Sequence, residues 1–287
     1  NVDFITWAKN PWGQSIPQHA AWYLAGVAVI AGLCFMIVHS LYVGLFAPQK
    51  AFAKNEAPAA EAAIPERVPR HSLAARIFHW VMAASMLTLL FTAFLPKVGV
   101  NFNWVLYHWI AGVVLTVSIV FHIVHSFLMD PWSIWPDKAD VRDSMRRVMR
   151  FVGKPSPPPE RFAKYPLENK LYHLCIVLAG LAVICTGLFM MKRIETPIFT
   201  RNPYIFGDMT WGLMYVLHGL AGIGLIALVM VHVYMGLRPE KLPITKSMLF
   251  GWMSRDFYLE EHDPKRWAVK QSPESDEKRG LAASDAD

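Results

Sequence analysis

Five long stretches without a charged residue constrain this chain more than any other feature. Each contains no Asp, Glu, Lys or Arg, and each reaches the roughly 20 apolar residues that a helix needs to cross a bilayer core. Within lipid a lone segment must satisfy its own backbone groups, which requires a helix. We therefore predict an all-α membrane protein with an accessory span at 20–46 and spans 1 to 4 at about 77–95, 105–128, 171–191 and 212–236.

The composition supports a membrane protein and excludes several other classes. Hydrophobic residues make up 54% of the 287 positions and charged residues 17%, below the roughly 25% usual in soluble domains. The 3 cysteines lie in apolar stretches without a CxxC or CxxCH motif. This argues against a disulfide scaffold, a cysteine-ligated iron–sulfur cluster and covalently attached haem.

Lys and Arg are distributed unevenly between the two ends of the spans. The segments that follow the accessory span, span 2 and span 4 hold 23 of the 28 basic residues. Basic residues mark the cytoplasmic side of a membrane protein, so we predict an outside N-terminus and a cytoplasmic C-terminus. The same distribution explains the net charge of +6 without nucleic acid.

The spans divide the chain into five predicted parts. The accessory span is separated from the other four by a stretch rich in Ala and Pro. The parts are an outer N-terminal segment (1–19), an accessory transmembrane helix (20–46), a cytoplasmic linker (47–70), a four-helix domain (71–236) and a cytoplasmic tail (237–287).

Eight of the 11 histidines lie within or at the ends of the spans, with no charged side chain at depth. Polar groups inside a membrane are costly and usually functional. A proton pump or ion-coupled transporter is expected to bury a charged residue as well, and zinc catalysis would favour a motif such as HExxH. Neutral imidazoles alone favour haem, held by a histidine on each side. The rival class is a haem-free membrane protein whose histidines bind metal or protons.

Spans 2 and 4 share an internal repeat, H-x-x-A-G-x9-H. Its two histidines are 14 residues apart, which is close to four helical turns, so they share a helix face about 21 Å apart along the axis. That distance stacks two haems across one membrane, and each glycine leaves room for a porphyrin one turn from a ligand. The residues are His108, Gly112 and His122 in span 2, and His218, Gly222 and His232 in span 4.

Depth in the membrane predicts how the histidines pair. Spans 2 and 4 run from outside to inside, which places His108 and His218 at the outer level. Span 1 runs the other way and begins beside His79. His108 and His218 are therefore the predicted ligands of the outer haem. His232 is predicted to bind the inner haem together with either His79 or His122.

Two segments resemble a known family. The sequence from Arg70 to Trp80 (RHSLAARIFHW) resembles the first-helix signature of the gamma subunit, cytochrome b556, of respiratory formate dehydrogenases. Related signatures occur in the cytochrome b subunits of nickel–iron hydrogenases and thiosulfate reductases. The sequence from Met248 to Trp267 (MLFGWMSRDFYLEEHDPKRW) resembles the motif that follows the fourth helix in formate dehydrogenase gamma subunits.

The resemblance implies a four-helix bundle that holds two b-type haems, and it bears on the inner ligand. In that family the first-helix histidine ligates the cytoplasmic-side haem, which corresponds to His79 paired with His232. His122 is then a reserve ligand. Arg76 is a candidate partner for a haem propionate or a lipid phosphate.

The resemblance also implies a function in the bacterial inner membrane. A periplasmic molybdenum or tungsten subunit would pass electrons through an iron–sulfur subunit to the outer haem, then to the inner haem and to menaquinone or ubiquinone. The chain itself would not be catalytic toward formate, and a higher oligomer of the complex is possible. The alternatives are a cytochrome b subunit of a hydrogenase, a thiosulfate reductase or another periplasmic molybdoenzyme.

The quinone site is expected near the start of span 3, because electrons that arrive outside must leave at the inner side. The family's Y-N-x-x-Q-K at this point reads YPLENK here. The candidate contacts to a quinone are Asn169, Lys170, Tyr172 and His173.

Overall fold

The computed structural model describes residues 3–46, 64–129 and 132–269. Five of its helices are long and apolar enough to cross a membrane, which confirms the predicted five-span, all-α membrane bundle. The helices extend beyond most of the predicted spans, because polar and charged residues continue the first or last turn outside the charge-free stretches. They are α1 (Tyr23–Phe46), α2 (Leu73–Phe94), α3 (Trp104–Met129), α5 (Leu167–Met190) and α6 (Asp208–Leu237).

The remaining described elements are short. Two 3₁₀ turns, Leu95–Val98 and Met191–Arg193, continue α2 and α5, and a third, Pro239–Lys241, precedes α7. The other helices are α4 (Lys138–Phe151), α7 (Leu242–Phe250) and α8 (Arg255–Glu261). The strands are β1 (Ile5–Lys9), β2 (Ser15–Ala20), β3 (Arg67–Pro69) and β4 (Trp252–Ser254), paired antiparallel as β1–β2 and β3–β4.

The chain forms two compact units. Within the described residues, the bundle unit comprises 3–46, 77–126 and 173–235, and the polar unit comprises 64–76, 127–129, 132–172 and 236–269. Strand β3 comes from the predicted linker and β4 from the predicted tail, so both segments contain folded structure. The rest of the predicted linker, up to residue 63, and the tail beyond residue 269 lie outside the described residues.

The N-terminal hairpin of the bundle unit packs closely on α6. A Cβ atom added to Gly212 would lie 2.0 Å from the backbone carbonyl oxygen of Pro17, and one added to Gly219 would lie 3.3 Å from Cβ of Ala20. Two glycines on α6 therefore allow the hairpin backbone to approach the helix. Sequence patterning did not predict this hairpin.

The accessory helix α1 contacts α6 further along its length. A Cβ on Gly32 would lie 3.0 Å from the end of the Met230 side chain. Nδ1 of His39 lies 3.0 Å from the Tyr234 hydroxyl, and the Ser40 hydroxyl lies 2.7 Å from the same oxygen. Apolar packing and hydrogen bonds thus both join α1 to the helix that carries His218 and His232.

We expect Gly212→Ala to destabilise the bundle unit. The new methyl group would overlap the Pro17 carbonyl, and overpacking of this kind costs about 1–3 kcal/mol. Gly224→Ala is the matched control, because its Cβ meets no heavy atom within 4 Å outside the local helix in the described residues. Thermal unfolding in detergent measures the difference, and equal midpoints for the two variants would contradict the packing of the hairpin on α6.

The polar unit has a small core and a buried ion-pair network. Val68, Met253 and Tyr258 are almost fully buried at the centre of this core. Nζ of Lys170 lies 2.6 Å from the Asp140 carboxylate, and Nη2 of Arg266 lies 2.8 Å from the other oxygen of that carboxylate. The network joins the start of α5 to α4 and to the segment after α8.

His262 is buried in the polar unit with a fixed tautomer. Nη1 of Arg70 donates to its Nε2 (3.2 Å), and its Nδ1–H donates to the Ala163 carbonyl (2.8 Å). An arginine can only donate and a carbonyl can only accept, so the ring is neutral. Burial, followed by the positive charge of Arg70, lowers the pKa of His262 to about 3.

We expect this histidine to make the polar unit less stable as the pH falls from about 6.5 to about 3. In that window the unfolded chain binds a proton at His262 that the folded chain does not, at a cost on the order of 1.4 kcal/mol per unit of pKa difference. His262→Gln keeps a neutral polar side chain and removes the titration. Unfolding midpoints across this pH range should fall less in the variant than in the wild type, and parallel curves would contradict the assignment.

Candidate functional site

The outer histidines meet between α3 and α6 in the bundle unit. The ring centres of His108 and His218 lie 6.2 Å apart, with 65° between the ring planes. Nδ1 of His108 lies 2.8 Å from the Thr92 hydroxyl, and Nδ1 of His218 lies 2.9 Å from the Thr186 hydroxyl. Each imidazole is thus held on its Nδ1 side by a threonine from a neighbouring helix.

These threonines determine which nitrogen of each outer imidazole carries the proton. Thr92 donates its hydroxyl to the Thr88 carbonyl (2.7 Å), and Thr186 donates to the Ala182 carbonyl (2.5 Å). A hydroxyl has one proton to donate, so each threonine oxygen accepts from a histidine Nδ1–H. Both Nε2 atoms are left with a free lone pair, which is the form that binds a metal.

The inner histidines meet between α2 and α6. The ring centres of His79 and His232 lie 6.3 Å apart, with 51° between the planes. His122, the reserve ligand, lies instead beside His173 of α5, with ring centres 6.0 Å apart. The structure therefore brings together three histidine pairs, of which two have the composition predicted for the haem ligands.

The spacing of the two predicted pairs fits axial ligation of one iron each. An imidazole nitrogen lies about 1.1 Å from its ring centre and forms metal bonds of about 2.0–2.1 Å. Two imidazoles on opposite sides of one iron therefore have ring centres about 6.3 Å apart. Within the described residues no group of three or more His, Cys, Asp or Glu could hold a metal ion.

The repeat glycines leave space beside the histidines. A Cβ on Gly222 would meet no described heavy atom within 4 Å beyond the local helix, and one on Gly112 would meet only Leu89, at 3.9 Å. A Cβ on Gly187 of α5 would lie 3.2 Å from Cε1 of His218. Gly187 therefore admits the imidazole, while Gly112 and Gly222 leave the room that a flat cofactor needs.

The remaining predicted site residues differ in how far they are exposed to solvent. Lys170 is 4% exposed and donates to Asp140 and to the Trp135 carbonyl. Asn169 is exposed, and Tyr172 is half-buried. Nη1 of Arg76 donates to the Leu249 carbonyl at 2.5 Å, and its Nε is buried without a hydrogen-bond partner in the described residues.

Three residues of this site escaped the sequence analysis: Thr92, Thr186 and Gly187. The sequence marks these positions only by a threonine followed by a small residue, as Thr92-Ala93 in span 1 and Thr186-Gly187 in span 3. A hydroxyl in an apolar span usually bonds to its own helix, and nothing in the spacing shows that it also reaches a histidine.

Part of the chain matches a known protein family. A family model described as prokaryotic cytochrome b561 matches residues 70–251. No curated protein matches the chain. The matched region contains α2, α3, α5 and α6 with all four predicted haem ligands, and it leaves the hairpin and α1 outside. The chain is thus a multi-pass membrane cytochrome b with a role in electron transfer through b-type haem, and it belongs to the prokaryotic cytochrome b561 family.

Proposed function

We propose that this chain is a di-haem subunit that carries electrons between an oxidoreductase on the outer side of the bacterial inner membrane and the quinone pool. The observation that carries the proposal is the presence of two imidazole pairs, each spanning two helices and each with the spacing for one iron. His108 and His218 bind the outer haem, and His79 and His232 bind the inner haem.

Helix α6 supplies one ligand to each haem and so sets the distance between them. His218 and His232 are 14 residues apart on one helix, about 21 Å along its axis. Each haem is completed by a different helix, α3 or α2. This arrangement carries electrons across most of the apolar layer in two steps.

We propose a formate dehydrogenase as the partner, with an iron–sulfur subunit between its molybdenum or tungsten centre and the outer haem. Support comes from the two segments that resemble its gamma subunit, because these segments contact each other in the polar unit. Arg70 of the first segment bonds to His262 of the second and lies 5.3 Å from the ring centre of Trp267. Hydrogenase, thiosulfate reductase and other periplasmic molybdoenzymes are the alternative partners.

We place the quinone reaction at the inner level, near the start of α5. His173 is the candidate contact that lies beside another bundle histidine. Asn169 is exposed for contact with a head group, and Tyr172 lies one residue before His173. Lys170 supports this site indirectly. Its ammonium group binds Asp140 and so holds the start of α5 in place.

Co-purification tests the partner. A tagged chain isolated from its native membrane in mild detergent should bring with it an iron–sulfur subunit and a molybdenum or tungsten subunit, identified by mass spectrometry. In that complex formate should reduce the b haems, and a quinone analogue should reoxidise them. Reduction by hydrogen and not by formate would contradict the assignment and indicate the hydrogenase alternative.

A further inference from the structure

A third histidine pair lies between α3 and α5 of the bundle unit. The ring centres of His122 and His173 lie 6.0 Å apart, with 72° between the ring planes. Both residues are half-buried. Nδ1 of His122 also lies 3.3 Å from the hydroxyl of Ser126, one turn further along α3. Two imidazoles facing each other at membrane depth are costly and require a role.

The pair lies next to the inner haem ligands. Phe78 directly precedes His79 on α2, and its ring centre is 4.6 Å from that of His122. His122 and His232 are each 14 residues beyond an outer ligand, so they share a depth in the membrane. A molecule bound at this pair would therefore sit within short electron-transfer reach of the inner haem.

The space between the two rings can accommodate one small acceptor atom. A Cβ on Gly180 of α5 would lie 3.9 Å from the Ile119 side chain of α3, so the two helices are in ordinary van der Waals contact near the pair. One oxygen at about 2.9 Å from a nitrogen of each ring fits the observed separation of 6.0 Å when the two hydrogen bonds meet at that oxygen at an angle of about 100°.

We propose that His122 and His173 bind a carbonyl oxygen of the quinone head group and that His122 delivers its proton. This proposal rests on the proposed function and assigns the residues of its quinone site. The reaction adds two electrons, one at a time from the inner haem, and two protons to the quinone, and each carbonyl oxygen becomes a hydroxyl.

His122 has the contacts that a proton relay needs. When Ser126 donates to Nδ1, the proton of the neutral ring is on Nε2. Transfer of that proton to the quinone oxygen is balanced by a proton that Nδ1 receives from Ser126, which is resupplied by water from the predicted cytoplasmic side. The second quinone oxygen takes its proton from the same side. His173 donates the second hydrogen bond to the first oxygen.

Anaerobic stopped-flow spectroscopy of the purified chain tests the proposal in the reverse direction. Short-chain benzoquinol and naphthoquinol analogues are the probes, and reduction of the b haems is the signal. We expect His122→Phe and His173→Phe to keep wild-type haem content and reduction by dithionite. Reduction by quinol should be slower by roughly 10²- to 10⁴-fold in His122→Phe, since positioned proton transfer contributes that much. It should be slower by roughly 10-fold in His173→Phe, which loses one hydrogen bond to the quinone oxygen.

Two sets of variants make the result specific. His39→Phe removes another intramembrane histidine, outside the pair, and should stay within about twofold of wild type, well below the range for proton transfer. His122→Gln keeps a polar side chain of similar size but cannot relay a proton, so it should slow the reaction as His122→Phe does, which tests the pair even if a Phe variant fails to fold. His173→Gln keeps a hydrogen-bond donor and should be slowed less than His173→Phe.

Two results would overturn the assignment of the pair. Unchanged quinol rates would make it a packing contact, and loss of one haem in the His122 variants would make it a ligand. If the wild-type haems accept no electrons from either quinol, the proposed function itself fails, which is a distinct outcome.

Discussion

Replacement of His108 or His218 with Ala should remove the outer haem and leave the inner haem in place. Each iron is held by two axial imidazoles, and the structure brings these two together, with their Nε2 atoms free for the metal. Haem content should fall from about two to about one per chain in either variant. Pyridine haemochrome analysis measures the haem content. A redox titration should show two haem components in the wild type and one in either variant.

Thr92→Val is the matched control for the His108 variant. It removes the acceptor of the His108 Nδ1–H and keeps the iron ligand. An imidazole that loses this acceptor becomes a weaker electron donor to the metal. The variant should therefore retain both haems while the midpoint potential of the outer one rises. Full occupancy of both haems in either Ala variant would show that the outer pairing is wrong.

Replacement of His79 with Ala should remove the inner haem, and replacement of His122 with Ala should not. The His79 ring faces His232 at 6.3 Å, whereas His122 faces His173. His79 and His122 have the same predicted depth in the membrane. A difference between the two variants therefore reports on which histidine pairs with His232 and not on depth. Haem content and the remaining midpoint potential of each variant decide it. Retention of the inner haem in His79→Ala together with its loss in His122→Ala would reverse the assignment.

The sequence was sufficient for features that depend on distance along a helix. Charge-free length determines where a chain can cross a bilayer, and the 14-residue spacing separates His108 from His122 and His218 from His232 by the same distance along the helix. Both follow from the rise per residue of one helix. The five-span fold was therefore predictable without tertiary information.

Features that depend on helix rotation and neighbour order could not be predicted in this way. Thr92 and Thr186 reach the histidines because α2 and α5 turn those positions toward α3 and α6. His122 faces His173, not His232, because α5 is its neighbour at that depth. Charge-free stretches lack the polar face that would set a rotation.

Lys170 shows the same limit for a long-range ion pair. Its position at the start of span 3 suggested contact with a quinone. In the structure it is paired with Asp140, which is 30 residues earlier on the amphipathic helix α4. Sequence separation hides a partner of this kind, since neither residue has a local signal for the other.

The haem-to-protein ratio of the purified chain tests the central claim most directly. The duplicated repeat and the two iron-compatible imidazole pairs predict about two non-covalent b haems per chain, measured by pyridine haemochrome against quantitative amino-acid analysis. A ratio near zero or one would contradict the di-haem arrangement. A ratio near three would show that the His122–His173 pair also binds haem.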